Sequence, residues 1–95
     1  MKFVGTSDPE DLMHYTYILQ SEKDGRYYID STDNIEKRLI RHNKGYSRYT
    51  KNKGPYALVY KEEYSSRPLA KKREYYLKSL KSRIALEKLI NGAFV

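Results

Sequence analysis

The stretch Tyr15–His42 decides the fold and reads YTYILQSEKDGRYYIDSTDNIEKRLIRH. Its first part is rich in aromatic and β-branched residues, which predicts a strand over Tyr15–Gln20. The polar turn Glu22–Gly25 contains Asp-Gly, a frequent hairpin signal. A second predicted strand, Arg26–Asp30, follows the turn. The stretch therefore predicts a β-hairpin that leads directly into a helix.

The predicted strands alternate between two faces of a sheet. In the second strand, Tyr28 and Asp30 share one face, and Tyr27 and Ile29 share the other. The same period places Tyr17 on one face of the first strand, together with its tyrosine and leucine neighbours two residues away. Alternation of this kind predicts which polar side chains can meet beside the core.

A helix is predicted after the hairpin and is expected to end near Lys44. Thr32-Asp33 offers an N-cap, and Glu36 three residues after Asp33 is typical of a capping box. Gly45 stands at the position where a helix commonly stops.

Two polar residues flank the apolar stripe of this helix. At ~100° per residue, His42 falls beside Ile35, and Arg38 lies just beyond it. Both side chains are therefore expected at the rim of the core, over the sheet.

The remaining chain adds one strand and two helices. A third strand is predicted over Tyr56–Tyr64. A second helix is predicted from a cap at Ser65 or Ser66 to about Leu80. Glu74 lies at the edge of the apolar arc of this helix. The arc consists of Leu69, Ala70, Tyr76, Leu77 and Leu80. A last helix is predicted over Arg83–Ile90. The order β-β-α-β-α-α predicts an α+β domain in which a small three-stranded sheet, antiparallel or mixed, is flanked by helices.

Composition and charge limit the possible classes of protein. Ninety-five residues allow one domain, expected over residues 14–92, with a flexible extension or leader at 1–13 and a short tail at 93–95. The chain has no cysteine, which excludes disulfides and thiolate metal sites. It has no membrane-length apolar run and no signal-peptide pattern, so a soluble cytoplasmic monomer is the expectation.

Positive charge predicts a polyanionic partner. The formal net charge is +7, and because residues 1–13 hold one basic and three acidic residues, the rest of the chain carries +9. Seven basic residues and no acidic one lie between Lys37 and Lys53. The candidate nucleic-acid contacts in this run are Lys37, Arg41, Lys44, Arg48, Lys51 and Lys53.

The polar residues at the predicted core edges have ordinary explanations when each is taken alone. Tyrosines fill small cores, Arg38 and His42 could be a solvated helix flank, and Glu74 could form a surface pair with Lys78. Their joint order is more informative. Tyr17 precedes the hairpin, Tyr28-Ile29 follows it, Arg38 and His42 share the next helix, and Glu74 lies on a later helix.

This order resembles the GIY-YIG endonuclease domain, in particular small stand-alone bacterial members related to the excinuclease C N-terminal domain. The resemblance spans His14 to about Gly92. It implies a metal-dependent nuclease that hydrolyses phosphodiester bonds in nucleic acid, with DNA favoured over RNA. It also implies one ion, Mg²⁺ or Mn²⁺, which Glu74 would hold.

The resemblance further implies roles for the remaining residues of the motif. Tyr17 matches the last position of the first signature triplet and is favoured as the base, with His42 as an alternative or a helper. Tyr28 matches the first position of the second triplet and is expected to stabilise the phosphate together with Arg38. An arginine at position 38 can bind two oxygens of a phosphorane-like transition state.

Asp30 departs from the family pattern, because the second triplet normally ends in glycine. Strand alternation puts its carboxylate on the same face as Tyr28. It could repel the substrate phosphate, pair with Arg38 and occupy it, or recruit a second metal. It could also turn to solvent or cap the next helix. Impaired catalysis with retained nucleic-acid binding is therefore the alternative to an active nuclease.

Overall fold

The computed structural model describes residues 13–45 and 53–92. The elements run in the order β1 (His14–Ser21), β2 (Tyr27–Thr32), α1 (Ile35–Asn43), β3 (Tyr56–Tyr64), α2 (Arg67–Leu80) and α3 (Arg83–Ile90). The predicted α+β class and element order are confirmed. None of the helices in these ranges is long and apolar enough to cross a membrane.

One antiparallel sheet with the strand order β2-β1-β3 forms the centre of the fold. The predicted hairpin pairs β1 with β2, and its turn contains Gly25 at a φ of 77°. β2 begins at Tyr27, one residue later than expected, and continues two residues beyond Asp30 to Thr32. This extension carries Ser31 into the ladder, opposite Thr16.

The N-cap of α1 comes one residue after the predicted Thr32-Asp33 pair. Asn34 is the N-cap, and its Oδ1 accepts a hydrogen bond from the Lys37 amide at 3.0 Å. The reason is that Thr32 still belongs to β2, and its hydroxyl accepts from the Asn34 amide at 3.1 Å. Glu36 consequently lies one position too early to complete a capping box.

Two apolar clusters lie on opposite faces of the sheet. Tyr17, Leu19 and Tyr56 form the first, against which Ile35 and Leu39 of α1 pack. The second cluster covers the other face and joins Ile18 of β1 to residues of α2 and α3, namely Leu77, Leu86 and Leu89. The fold therefore has three layers, with α1 on one side of the sheet and α2 with α3 on the other.

Helices α1 and α2 each contact the sheet through a narrow stripe of side chains. In α2 the buried residues are Ala70, Glu74 and Leu77, whereas Leu69 and Tyr76, which were predicted in the apolar arc, are about half exposed. This spacing of four and then three residues covers only one side of a helix. The stripe of α1 has the same spacing and ends on buried His42, so each stripe includes one polar residue.

Candidate active site

The Asp30 carboxylate is the centre of a polar cluster on the α1 face of the sheet. Its Oδ2 accepts a hydrogen bond from the Tyr17 hydroxyl at 3.1 Å and pairs with the Arg38 guanidinium. His42 Nε2 lies 3.7 Å from the same oxygen and 3.4 Å from the Tyr17 hydroxyl. Three of the residues that the sequence pattern selected therefore meet at one carboxylate oxygen.

Strand register and helix spacing produce this convergence. Tyr17 of β1 is the direct cross-strand partner of Asp30 in β2, so both side chains leave the same face at the same level. Arg38 and His42 are four residues apart in α1 and stand one turn above each other. Because Ile35 and Leu39 anchor α1 on the sheet, both polar side chains are directed at the strand pair.

The electrostatics of the cluster favour an ionised Asp30 and a protonated Tyr17. Burial alone would raise the pKa of Asp30, but His42, the Ser31 amide and the Arg38 charge together lower that pKa below its ordinary value. Burial and the adjacent Asp30 carboxylate raise the pKa of Tyr17 far above its ordinary value, against the opposing effect of Arg38. The Tyr17 hydroxyl is accordingly a hydrogen-bond donor here.

Of the alternatives for Asp30, the structure shows the pair with Arg38. The carboxylate neither turns to solvent nor caps α1, which Asn34 caps instead. Its second oxygen, Oδ1, accepts from the Ser31 amide at 2.8 Å. Arg38 therefore already contacts an anion at the place where the family pattern expects a glycine.

Glu74 forms the second polar cluster, on the α2 face. Its side chain is 3% exposed, and Ser31 Oγ donates to its Oε1 at 2.6 Å. Lys78 Nζ lies 2.6 Å from Oε2 and Lys71 Nζ lies 3.2 Å from Oε1. Burial by itself would raise the pKa of Glu74, but these donors lower it below its ordinary value. The carboxylate is therefore ionised and held by three donors.

Ser31 joins the two clusters across the sheet. Its amide donates to Asp30 and its hydroxyl donates to Glu74, so adjacent residues of β2 serve opposite faces. A polar pocket of roughly 250 Å³ opens beside it. The pocket is lined by His14, Ser31, Thr32, Asp33, Arg38, Arg67, Ala70 and Lys71. Its basic side chains from α1 and α2 are suited to a phosphate group.

Tyr28 lies beside the Asp30 cluster. Ring packing, and not a hydrogen bond to the Asp30 carboxylate, links it to the cluster. Its ring packs edge-on against Tyr56, with centroids 5.2 Å apart and planes at 85°. Tyr56 also packs against His42, with centroids 6.1 Å apart. Tyr28 thus contacts the site through an aromatic neighbour.

Four of the six candidate nucleic-acid contacts lie within the described residues. Lys37, Arg41 and Lys44 are exposed on α1 and just after it. Lys53 is partly buried, and its carbonyl accepts a hydrogen bond from Ser21 Oγ at 2.6 Å. The other two predicted contacts, Arg48 and Lys51, lie outside the described residues.

The donor chemistry fits a divalent ion held by few protein ligands. Glu74 offers hard carboxylate oxygens, whereas no cluster of three or more His, Cys, Asp or Glu side chains suited to a metal occurs in residues 13–45 and 53–92. An ion with one protein carboxylate keeps most of its waters, as Mg²⁺ commonly does. The lysines on Glu74 are 32% and 51% exposed, so their ammonium groups can move aside.

Sequence reasoning missed Ser31, Arg67 and Lys71 as parts of the site. Period-two alternation puts Ser31 on the face opposite Asp30, but only the packing of α2 on this face reveals its contact with Glu74. The two basic residues carry no local signal, because their role depends on how α2 lies over the end of β2.

The chain is similar to several known proteins. A family model described as the GIY-YIG catalytic domain matches residues 13–89. The UPF0213 protein SSP2268 of Staphylococcus saprophyticus is 40% identical over 80 residues, which cover 83% of this chain and 96% of that protein. The UPF0213 protein CPE1444 of Clostridium perfringens is 45% identical over 69 residues, covering 72% and 73% of the two chains.

A solved structure is similar as well. The solution NMR structure of the UPF0213 protein BH0048 from Bacillus halodurans aligns with a TM-score of 0.53 and 34% identity. The alignment covers 83% of each chain. At this TM-score, identity and coverage, the two chains share a fold over most of their lengths.

Proposed function

Since the chain belongs to the GIY-YIG catalytic-domain family, we propose that it is a divalent-metal-dependent endonuclease that hydrolyses phosphodiester bonds in nucleic acid, with DNA as the favoured substrate. The observation that supports this proposal is the convergence of Tyr17, Arg38 and His42 on one oxygen of Asp30. A site that holds a carboxylate oxygen with these donors can hold a phosphate oxygen with the same donors.

Arg38 is the phosphate-binding residue in this proposal. Its guanidinium would bind two non-bridging oxygens and stabilise the charge that accumulates in the transition state. Arg67 and Lys71 line the same pocket and supply further positive charge. Substrate that binds Nη2 of Arg38 displaces Asp30, because this nitrogen pairs with the Asp30 carboxylate in the structure.

Tyr17 takes the proton from the attacking water, and His42 assists it. Displacement of Asp30 removes the carboxylate that raises the pKa of Tyr17 and that accepts its hydrogen bond. The hydroxyl can then pass its own proton to His42 Nε2, which lies 3.4 Å away, as the Tyr17 oxygen accepts the proton of the attacking water. Tyr28 supports this arrangement by packing against Tyr56 beside the imidazole.

Glu74 would hold a single Mg²⁺ or Mn²⁺. The ion, when bound, supplies Lewis-acid polarisation of a non-bridging oxygen and stabilises the departing alkoxide. Ser31 orients the Glu74 carboxylate through its 2.6 Å hydrogen bond. Lys71 and Lys78 keep the carboxylate in the ionised form, which is the form that would bind a cation.

A cleavage assay tests the proposal. Wild type, Glu74→Gln and Arg38→Ala are incubated with single-stranded, nicked and branched DNA, with Mg²⁺ or Mn²⁺ and with EDTA. Cleavage should need the ion and should fall by at least about a hundredfold in each variant. Glu63→Gln, which removes an exposed carboxylate on β3, is the matched control and should cleave like wild type. Undiminished cleavage by Glu74→Gln would refute the metal assignment.

A second candidate function is a nucleic-acid-binding module with an impaired active site. The pairing of Asp30 with both Arg38 and Tyr17 favours it, because that carboxylate occupies the site from within. Asp30→Gly restores the family glycine and separates the two functions. If the variant cleaves far faster than wild type while its affinity for DNA stays similar, the native protein is chiefly a binder.

A further inference from the structure

A second depression lies on the α2–α3 face of the sheet. It measures roughly 630 Å³ and runs between β2 and the junction of α2 with α3. Its apolar surface comes from Tyr27, Ile29, Leu77 and Leu86. The lining also includes four basic residues, Arg26, Lys78, Lys81 and Arg83, whereas none of its described lining residues is acidic. We call it the β2–α3 groove.

The apolar surface contains an aromatic ring that is held in place by a cation. The guanidinium of Arg83 lies 4.5 Å from the centroid of the Tyr27 ring. Its Nη1 also donates to the Gly25 carbonyl at 2.9 Å, which anchors the side chain to the hairpin turn. Aromatic rings and guanidinium planes are the surfaces on which unpaired bases stack.

The basic residues can exchange their present partners for phosphate. Arg26, Lys78 and Arg83 pair with Asp24, Glu74 and Glu87, respectively. The side chains of these three cations are between 51% and 71% exposed. The Arg26 and Arg83 pairs contribute little free energy, because both partners are partly exposed. Glu74 is buried, but the Lys78 ammonium has three donors and can bind a phosphate while it keeps this partner. The charged groups are thus accessible to a phosphodiester backbone.

Lys78 connects the groove with the candidate active site. It lines the groove, and its Nζ lies 2.6 Å from Glu74 Oε2. A backbone phosphate that binds Lys78 would therefore stand next to the carboxylate proposed to hold the metal. The groove and the polar pocket beside Ser31 approach Glu74 from two sides, through Lys78 and Lys71.

We propose that the β2–α3 groove binds a single-stranded segment of nucleic acid and leads it to Glu74. Bases stack on the surface around Tyr27, and phosphates contact the basic rim. A substrate with an unpaired segment next to the cleaved bond fits this geometry better than an uninterrupted duplex. The direction toward Glu74 rests on the proposed function, whereas binding in the groove does not.

Binding measurements without metal test the groove independently of cleavage. The affinity of fluorescently labelled single-stranded DNA and RNA is measured by anisotropy in EDTA over a range of salt concentrations. The double variant Arg26→Ala/Lys81→Gly removes two rim charges and should weaken binding roughly tenfold at low salt. Its plot of log affinity against log salt should be shallower by about 1.4, since each lost phosphate contact on a single strand accounts for ~0.7.

The matched control is Lys72→Ala/Lys88→Ala, which removes the same charge from exposed positions of α2 and α3 that do not line the groove. It should bind with close to the wild-type slope. Equal affinities and slopes for the two double variants would overturn the proposal, because charge alone would then explain binding.

Photocrosslinking gives a positional readout. Oligonucleotides that contain 5-iodouracil should crosslink to the peptide that carries Tyr27. Crosslinks confined to other peptides would also overturn the proposal. Glu74→Gln should still crosslink to the peptide that carries Tyr27, although its cleavage is strongly reduced. If binding fails in the groove variant alone, the groove is supported whether or not any form of the protein cleaves.

Discussion

Asp30 controls the charge and hydrogen bonding of the candidate active site from a single position. Its carboxylate stands where the family pattern has a glycine, which has no side chain to contact Arg38. In the proposed function, the Arg38 pair and the Tyr17 hydrogen bond put this carboxylate where an anionic substrate group would bind. A carboxylate and a phosphate present similar oxygens to guanidinium, so the two compete for it.

We predict that Asp30→Ala lowers the pKa of Tyr17 without restoring its ordinary value. The Asp30 charge and hydrogen bond raise that pKa, but burial is the larger cause and remains in the variant. Titration of tyrosine labelled with ¹³C at Cζ, followed by NMR, measures the change at one residue. Asp33→Ala removes an exposed carboxylate nearby and should leave the Tyr17 pKa unchanged. A Tyr17 pKa unaffected by Asp30→Ala would show that burial alone sets it.

At the scale of the elements, the cap of α1 is open to a direct test. Asn34→Ala removes the side-chain acceptor of the Lys37 amide and should lower the free energy of unfolding by about 1 kcal/mol. Asp33→Ala removes the residue that the sequence pattern favoured as the cap and should lower the free energy of unfolding far less. Urea unfolding of the two variants decides between the positions. The opposite ranking would place the cap at Asp33.

The C-cap of α2 offers a second test. Lys81 has a φ of 47° and a ψ of 40°, a left-handed conformation in which a Cβ is unfavourable and glycine is preferred. Lys81→Gly should therefore be more stable than Lys81→Ala by about 1 kcal/mol, although both variants lose the same charge. Urea unfolding measures the difference. Equal stabilities would mean that the C-cap relaxes out of this conformation when the side chain is shortened.

Local signals in the sequence predict the helices and strands and the polar residues on the α1 face of the sheet. Alternation placed Tyr28 and Asp30 on one face, and helical spacing put Arg38 and His42 at the rim of the core. The cap at Asn34 was missed because β2 continues past its expected end. The contact between Ser31 and Glu74 spans 43 residues of sequence, so only the packing of α2 on the sheet reveals it.

At the scale of the whole molecule, carboxylates that are buried or partly buried tie each layer to the sheet. Asp30 joins β2 to α1, and Glu74 joins β2 to α2 through Ser31. Glu62 of β3 accepts from Arg73 Nε and Nη2 of α2 at 2.9 and 3.0 Å and also from the hydroxyls of Tyr60 and Tyr64. Each group is ionised at neutral pH and needs its partners to remain buried.

Acid should therefore weaken the whole fold. Burial alone would raise the pKa of Asp30, Glu62 and Glu74, but their donors lower all three below the ordinary 3.8 for Asp and 4.5 for Glu. A carboxylate whose pKa is lower in the folded state stabilises the fold fully when the pH is above its unfolded-state pKa. This stabilisation is lost as the pH falls through its folded-state pKa. The free energy of unfolding should thus decrease steadily as the pH falls below about 4.5.

Glu62→Gln tests this linkage away from the candidate active site. It removes one titrating group while keeping an acceptor for Arg73, so it should be less stable than wild type at pH 7. It should also lose less stability on acidification, because one fewer proton is taken up on unfolding. Urea unfolding between pH 7 and pH 3 gives both quantities, and Glu63→Gln on the same strand should follow the wild-type curve. Parallel curves for Glu62→Gln and wild type would show that the Glu62 network contributes nothing to the acid sensitivity of the fold.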